Sequence, residues 1–518
     1  MSPQQGYALL VLMTLLMLGS LSWLLSQAEP AHHPRTERTA SALAEAKRVL
    51  LGRAAIDASL PGSLPCPDAN GDGSADLLSG NDCPSYLGRF PYKTLGIPEP
   101  LDGAGAPLWY ALSRTFRDDD SNAIDGASSG DLTLNAPVPG QKLAALLFAP
   151  GATVTGQSRS PNLNRDCPSS GTPQAETRCA ASYLEDSNAA LNTKTSRNLT
   201  FEGRTASDQF NDQILAITSD EVLELTSRRI ARETKRCLDD YAAVSAGHYP
   251  WPAPVSDVVN YRGTAGVWFG RLPSQPRPFT TGIALDNSAQ QLLDALSALG
   301  LALDRYAASN TSATRATLKA AGQALDTASQ SAAQNQPGQP VLPVALTSDA
   351  SATGRAAQEL AKNPSNSTVA TVRTLLQSTL SGLTGAGFPL DRAMSLSWPA
   401  SCSWADAPYL PHWRNEVFVQ IAQGHQPGGS GCLASATCLS INGAGSYRAV
   451  VLVGGRPFPD QVSRQPTADP PLGYLEGHNS HSSAGTPTTT FESRRPIDAD
   501  WSRINDRVEC LDGRSACR

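Results

Sequence analysis

The hexapeptide YLEDSN at 183–188 returns as YLEGHN at 474–479, 291 positions further on. Six similar residues in a chain of 518 carry little alone, but their flanks repeat in the same order. KLAALLFAPGATVTGQSR, upstream of the first copy, is answered by YRAVVLVGGRPFPDQVSR upstream of the second; each is an apolar run that breaks at Gly/Pro and ends in a Gln and an Arg. Downstream, TFE at 200–202 answers TFE at 490–492, an offset of 290, and FNDQILAI at 210–217 answers INDRVECL at 504–511, an offset of 294. Ordered blocks at a nearly constant offset mark an internal duplication. Whatever the fold is, it must be buildable twice.

Each copy reads as a helix, then an irregular loop, then short strands. TASALAEAKRVLLGRAAI, after a His/Pro/Arg joint at 31–38, places Leu43, Ala46, Leu50 and Ala54 on one helical stripe. LPCPDANGDGSAD opens a loop, and β-like runs follow at 107–113 (PLWYALS) and 142–149 (KLAALLFA). The second copy begins at Ser219, a good N-cap followed by Asp220 and Glu221, with Val222, Leu223, Ile230, Cys237, Leu238 and Tyr241 near helical spacing. YPWPAP at 249–254 stands where SLPCPD stood, and FGRLP at 269–273 answers LGRFP at 87–91. These landmarks predict one unit over 39–218 and a second over 219–518. Roughly 281–385 is an Ala/Ser/Thr-rich insertion in the second, with apolar residues at helical intervals. The insertion reads as a helical subdomain, with a spacer as the alternative.

Charged residues are 17% of the chain, the formal net charge is −6, and there are 42 glycines and 39 prolines. A nucleic-acid binder would show a basic domain or stripe, so no nucleic-acid partner is expected. The ten cysteines fall as close pairs, Cys66 with Cys83, Cys167 with Cys179, Cys432 with Cys438 and Cys510 with Cys517, leaving Cys237 and Cys402. An even count with loop-like spacing points to disulfides formed in an oxidising compartment. The spacing of structural zinc sites is absent, and no CxxC occurs.

Residues 7–27, YALLVLMTLLMLGSLSWLLSQ, carry no charge and as a helix would span about 30 Å, the thickness of a bilayer core. Arg35, Arg38, Lys47 and Arg48 follow the span and none precedes it, which by the positive-inside rule places the body in the cytoplasm; the cysteines point the other way, and they bear on where the bulk folds. SQA at 26–28 is an alternative small-residue cleavage site before Glu29.

QQGYALLVLMTLLMLGS resembles the start of a type IV pilin-like protein: a short leader, 1–6, ending in Gly6, then the aromatic Tyr7 and an apolar helix. In that family a prepilin peptidase cuts after the glycine and methylates the new amino terminus. The leader lacks the usual basic residue, and Val11 stands where the fifth mature position is normally Glu. Absence of that Glu is a habit of minor subunits at the filament tip, such as the largest pseudopilin of type II secretion, which also carries a helical insertion in its head.

The resemblance implies an α+β fold: an N-terminal transmembrane or spine helix, then two tandem pilin-like heads of helix plus antiparallel sheet, the second with the helical insertion. It further implies a single-pass inner-membrane protein with its body in the periplasm or at the cell surface, working in assembly or at the tip of a type IV pilus or type II secretion filament. Its partners would be other pilin or pseudopilin subunits, met through the N-terminal helix, and the prepilin peptidase. The alternatives are an exported or surface-anchored disulfide-rich adhesin-like binding protein, and a periplasmic hydrolase.

One loop is a candidate for calcium. DANGDGSAD spaces oxygen-bearing Asp68, Asn70, Asp72, Ser74 and Asp76 on alternate positions, with Gly73 at the sixth, where a calcium loop turns sharply. The twelfth position is Ser79 rather than a bidentate Glu. The competing reading is an Asx/Gly turn stapled by Cys66 and Cys83. DDDSNAID at 118–125 is a second acidic loop, and His478 and His481 of HNSH read as incidental surface. Tyr183/Tyr474, Glu185/Glu476 and Asn188/Asn479 recur in both copies, which points to a shared structural need. No phosphate loop or HExxH helix occurs, and no enzyme is expected.

Overall fold

The structure is a computed structural model that describes residues 33–512 except 77–81, 120–121, 136–140, 156, 158, 160–179, 190–199, 277–286, 334–343, 365–367, 386–394, 396–397, 403–406, 433–436, 460, 462–463, 484–486 and 494–503. The chain divides into two compact units. One takes in the chain up to Asp57 with Gly62–Asn122 and Ser129–Val222; the other takes in Ala58–Pro61, Ala123–Ser128 and everything from Leu223 onward.

The first described element, α1, spans His33–Ile56. It takes in most of the stretch read as a joint. Pro34 sits at its second residue, where a missing N–H costs nothing because first-turn amides have no helical partner. The stripe of Leu43, Ala46, Leu50 and Ala54 is buried, while Glu45 and Arg48 pair with each other on the solvent side at 2.6 Å.

That charge pattern is why α1 is no membrane spine. Among the described residues no helix is long and apolar enough to cross a membrane. The expected fold with a transmembrane or spine helix is therefore corrected to an α+β chain of seven helices and several sheets among the described residues. The single-pass inner-membrane expectation is corrected with it. Gly6, Tyr7 and the 7–27 stretch lie outside the described residues.

In the first unit the strands β1 (Leu87–Arg89), β2 (Trp109–Leu112), β3 (Thr133–Leu134), β4 (Leu143–Ala149), β5 (Thr200–Phe201) and β6 (Gln213–Thr218) follow α1. A four-stranded antiparallel sheet runs in the order β1-β2-β4-β6, and β3 pairs with β5 in parallel. All seven residues of β4 are buried, which its unbroken apolar run requires of a central strand covered on both faces. Trp109, Ala111, Leu146 and Phe148 form one face and pack with Tyr183, Leu184 and Phe201. α1 lies along β4 and β6, where the Lys47 ammonium donates to the Ala216 carbonyl at 2.8 Å and pairs with Glu221 at 2.6 Å.

The second unit follows the same plan. After α2 (Ser219–Ala243) come β7 (Phe269–Arg271), the insertion helices α3 (Asn287–Ala308), α4 (Ser312–Ala333), α5 (Val344–Lys362) and α6 (Val369–Gly385), then α7 (Leu410–Trp413), β8 (Val417–Ile421), β9 (Leu439–Ile441), β10 (Ala444–Tyr447), β11 (Ala449–Val453), β12 (Thr490–Phe491) and β13 (Arg507–Leu511). The sheet β7-β8-β11-β13 is antiparallel throughout and matches β1-β2-β4-β6 strand for strand. β9 pairs with β12 in parallel as β3 does with β5, and adds β10. The repeated Gly-Arg of β1 and β7 has a local cause: a Cβ at Gly88 would lie 2.6 Å from the Asp68 carbonyl, and one at Gly270 would strike the Ala253 carbonyl. Each following Arg then exchanges two backbone hydrogen bonds with that same residue, at 2.8–3.0 Å.

The insertion helices have a core of their own, built from Leu292, Leu296, Leu303, Leu325, Leu360, Leu376 and their neighbours. α4 and α5 come into backbone contact at Gly322 and Gly354, where a Cβ on either would lie 2.6 Å from the other's carbonyl oxygen. The disulfides Cys66–Cys83, Cys237–Cys402 and Cys432–Cys438 join Cα atoms 5.4, 4.8 and 5.2 Å apart, normal bridging distances. Cys510 is also disulfide-bonded; Cys167, Cys179 and Cys517 lie outside the described residues.

Candidate functional site

The residues that recur in sequence assemble, in each unit, into one buried polar cluster. In the first, the Glu185 amide donates to Asp212 Oδ2 at 3.1 Å, and the amides of Asn211 and Asp212 both donate to Glu185 Oε2 at 3.1 Å. Asn188 Nδ2 donates to Asp212 Oδ2 and to the Glu202 carbonyl, both at 3.0 Å, and Asn188 Oδ1 accepts the Glu202 amide at 2.8 Å. Gln157 Nε2 donates to Glu185 Oε1 at 2.7 Å. Two guanidinium groups, of Arg89 and Arg159, lie over the Tyr183 ring at 5.1 and 4.8 Å.

The second unit repeats this bond for bond. The Glu476 amide donates to Asp506 Oδ2 at 2.9 Å, and the amides of Asn505 and Asp506 donate to Glu476 Oε2 at 3.0 and 3.2 Å. Asn479 bridges Asp506 and both backbone groups of Glu492. Gln461 donates to Glu476 at 3.0 Å, and Arg271 and Arg464 lie over Tyr474 at 5.4 and 5.0 Å. The cluster ties the turn after β4 or β11 to the strand that closes the sheet.

A pair of carboxylates in contact is also the layout of an acid–base catalyst, so access decides the reading. Glu185, Asp212, Glu476 and Asp506 are buried, and Asn188 and Asn479 wholly so. Buried among the described residues and bonded to backbone amides, the pair acts as a structural staple. Burial, reinforced by the facing Glu185, pushes the Asp212 carboxyl up to about 8. Burial raises Glu476, and burial with the charge of Glu476 holds Asp506 well above the usual carboxylate range.

A carboxyl whose folded pKa lies above its unfolded value binds its proton more tightly when folded. Its stabilisation is complete below about pH 4 and is lost as pH rises toward 8. The chain is expected to lose stability over that range, the first staple as Asp212 ionises toward pH 8 and the second in the same direction. Asp212→Asn with Asp506→Asn, which keeps an acceptor in each place, is expected to flatten the curve. Denaturant midpoints measured from pH 4.5 to 8 check this; an unchanged slope in the double variant refutes it.

The loop 68–76 brings its expected residues together, but around its own backbone. Asp68 is buried, accepts the Gly71 and Gly73 amides at 2.6 and 2.7 Å, and is pushed up to about 6, first by burial. Asp76 accepts the Ala69 amide at 2.8 Å and Asn70 Nδ2 at 2.9 Å; Asp72 accepts the Ser74 amide at 2.7 Å; Asn70 Oδ1 accepts the Asp72 amide at 2.8 Å. Among the described residues no group of three or more His, Cys, Asp or Glu side chains is placed to hold a metal ion. In the second acidic loop, Asp118 pairs with Arg53 at 3.1 Å and Asp119 with Arg117 at 2.5 Å. His478 and His481 have ring centroids 6.0 Å apart, and His478 lies 3.7 Å from Glu492.

One concave site escapes the sequence reading altogether. In the second unit, the loop from Asn260 to Gln275 and helices α3 and α4 line an open cleft of about 570 Å³. The loop side carries Tyr261, Arg262 and Gln275; the helix side carries Gln291, Asp294 and Thr327. Arg262 and Asp294 pair across it at 3.4 Å. Nothing in either segment has a recognisable motif, because the walls meet only when the insertion folds back beside the loop. No protein-family model matches the chain, and comparison with curated proteins and with solved structures finds no match.

Proposed function

We propose that the chain is a non-catalytic subunit of the minor-pilin or pseudopilin kind, acting in assembly or at the end of a type IV pilus or type II secretion filament. The observation that carries this reading is the twice-built unit of a long helix followed by a four-stranded antiparallel sheet, downstream of a leader-like QQGY start. The disulfides suit assembly in an oxidising compartment. Two such units plus four inserted helices make a subunit too bulky to stack repeatedly along a filament, which favours an end position.

The test is the mature amino terminus, read by mass spectrometry after expression with and without a prepilin peptidase. The expected product begins at methylated Tyr7, only when the peptidase is present. A start at Glu29, or an uncut Met1, overturns the filament reading. It would leave the second reading, a disulfide-rich adhesin-like binding protein, which the cleft of the second unit favours.

A further inference from the structure

We infer that the cleft between the 260–275 loop and helices α3 and α4 is a binding site for a neutral sugar ring. Its volume, about 570 Å³, lies within the range of small-molecule sites. The lining takes in amide and hydroxyl residues, Asn260, Gln275, Gln291, Thr327 and Ser331, with Ala295, Ala298, Ala324 and Ala328 as small apolar members. A pyranose presents the same alternation of hydroxyl groups and C–H faces.

Charge narrows the ligand further. Among the described residues, Arg262 and Asp294 are the charged members of the lining and are paired with each other, which leaves no net charge from them to offer a phosphate or a carboxylate. A single carboxylate is too few for a divalent cation. Among the described residues the lining holds no Leu, Ile, Phe or Met, which disfavours a lipid or an apolar side chain.

Two details mark a prepared surface. Gln275 Oε1 is buried with no hydrogen-bond partner among the described residues, so turning its amide toward the cleft to accept a ligand hydroxyl would break no bond of that oxygen. The loop wall is held rigid from behind: Tyr261 Oη donates to Asn415 Oδ1 at 2.8 Å, the Arg414 guanidinium lies 3.8 Å from the centre of the Tyr261 ring, and Arg414 donates to Ser274 Oγ at 2.6 Å. Side chains fixed in this way lose little freedom on binding.

The inference does not depend on the filament reading, because it is tested on purified chain whatever its amino terminus. Glucose, galactose, mannose and N-acetylglucosamine are titrated singly and followed by saturation-transfer NMR, with glucuronate as the charged control. The expected result is millimolar binding of at least one neutral sugar, weakened about tenfold or more by Gln275→Ala and by Gln291→Ala. Gln291 is exposed on α3, so its variant keeps the fold even if the Gln275 variant does not. Binding of none of the four sugars, binding indifferent to Gln291→Ala, or tighter binding of glucuronate would each overturn it.

Discussion

Replacing Arg464 by Ala is expected to cost the second unit about 3 kcal/mol at pH 8 and distinctly less at pH 5. Arg464 pairs with Glu416, whose carboxylate also accepts the Gly126 amide at 2.8 Å. Glu416 is fully enclosed, and burial pushes its carboxyl up to about 8. At pH 5 the orphaned carboxyl keeps a proton and stays neutral; at pH 8 the folded state must either hold an unpaired buried charge or bind a proton from dilute supply. The midpoint of urea unfolding at the two pH values reads the difference. An equal loss at both would mean that Arg464 acts through its packing over Tyr474 rather than through Glu416, and Arg464→Lys, which keeps the charge and loses the flat guanidinium, separates the two contributions.

The second large effect belongs to the Cys237–Cys402 disulfide. It closes a loop of 165 residues, whereas Cys432–Cys438 closes one of 6. If the bridges act by restricting the unfolded chain, Cys237→Ala with Cys402→Ala is expected to cost about 5 kcal/mol and Cys432→Ala with Cys438→Ala about 2 kcal/mol. Cys237 and Cys402 are both buried, so Ala leaves no new polar group inside. Chemical denaturation of the two double variants against the parent decides it. Equal losses would contradict the loop-length account, and a loss below about 1 kcal/mol for the long loop would show that the unfolded chain is already held near that geometry by other means.

Much of what positions these residues was legible from sequence, for identifiable reasons. LAALLFA reads as a buried strand because an apolar run of that length has no other economical home, and the insertion reads as helical because its leucines recur at 3.6-residue intervals. Tyr183, Glu185 and Asn188 stand out because the duplication prints them twice. Their partners Asp212 and Asp506 sit inside the repeated FND and IND blocks, but nothing local says that a carboxyl 27 residues downstream of Glu185 closes back on it. That pairing is set by the sheet.

Other features were invisible for the same reason. The spacing of Asp68, Asn70, Asp72 and Asp76 is shared by a cation loop and by a loop that wraps its carboxylates around its own amides, and only the backbone tells which way the oxygens face. The cleft is harder still, since Gln275 and Gln291 belong to segments whose neighbourhood depends on where the insertion returns. The helix that packs on the first sheet, α1, is the one that the stripe of Leu43, Ala46, Leu50 and Ala54 announces, while the apolar stretch at 7–27 lies outside the described residues.

The long excursion between β7 and β8 has a wider consequence. These strands pair directly, Phe269 opposite Gln420 and Arg271 opposite Phe418, so they form a hairpin whose connection runs from 272 to 416. In the first unit the corresponding connection, between β1 and β2, runs only from 90 to 108. Loop-closure entropy grows with the logarithm of length, so a connection enlarged by roughly three doublings burdens the hairpin by only about 2 kcal/mol. A guest with its own core repays nothing to the sheet and asks little of it. Such a position is free to accept, enlarge or exchange cargo over generations while the host copy keeps its register, and the chain preserves, in its first half, the unladen version for comparison.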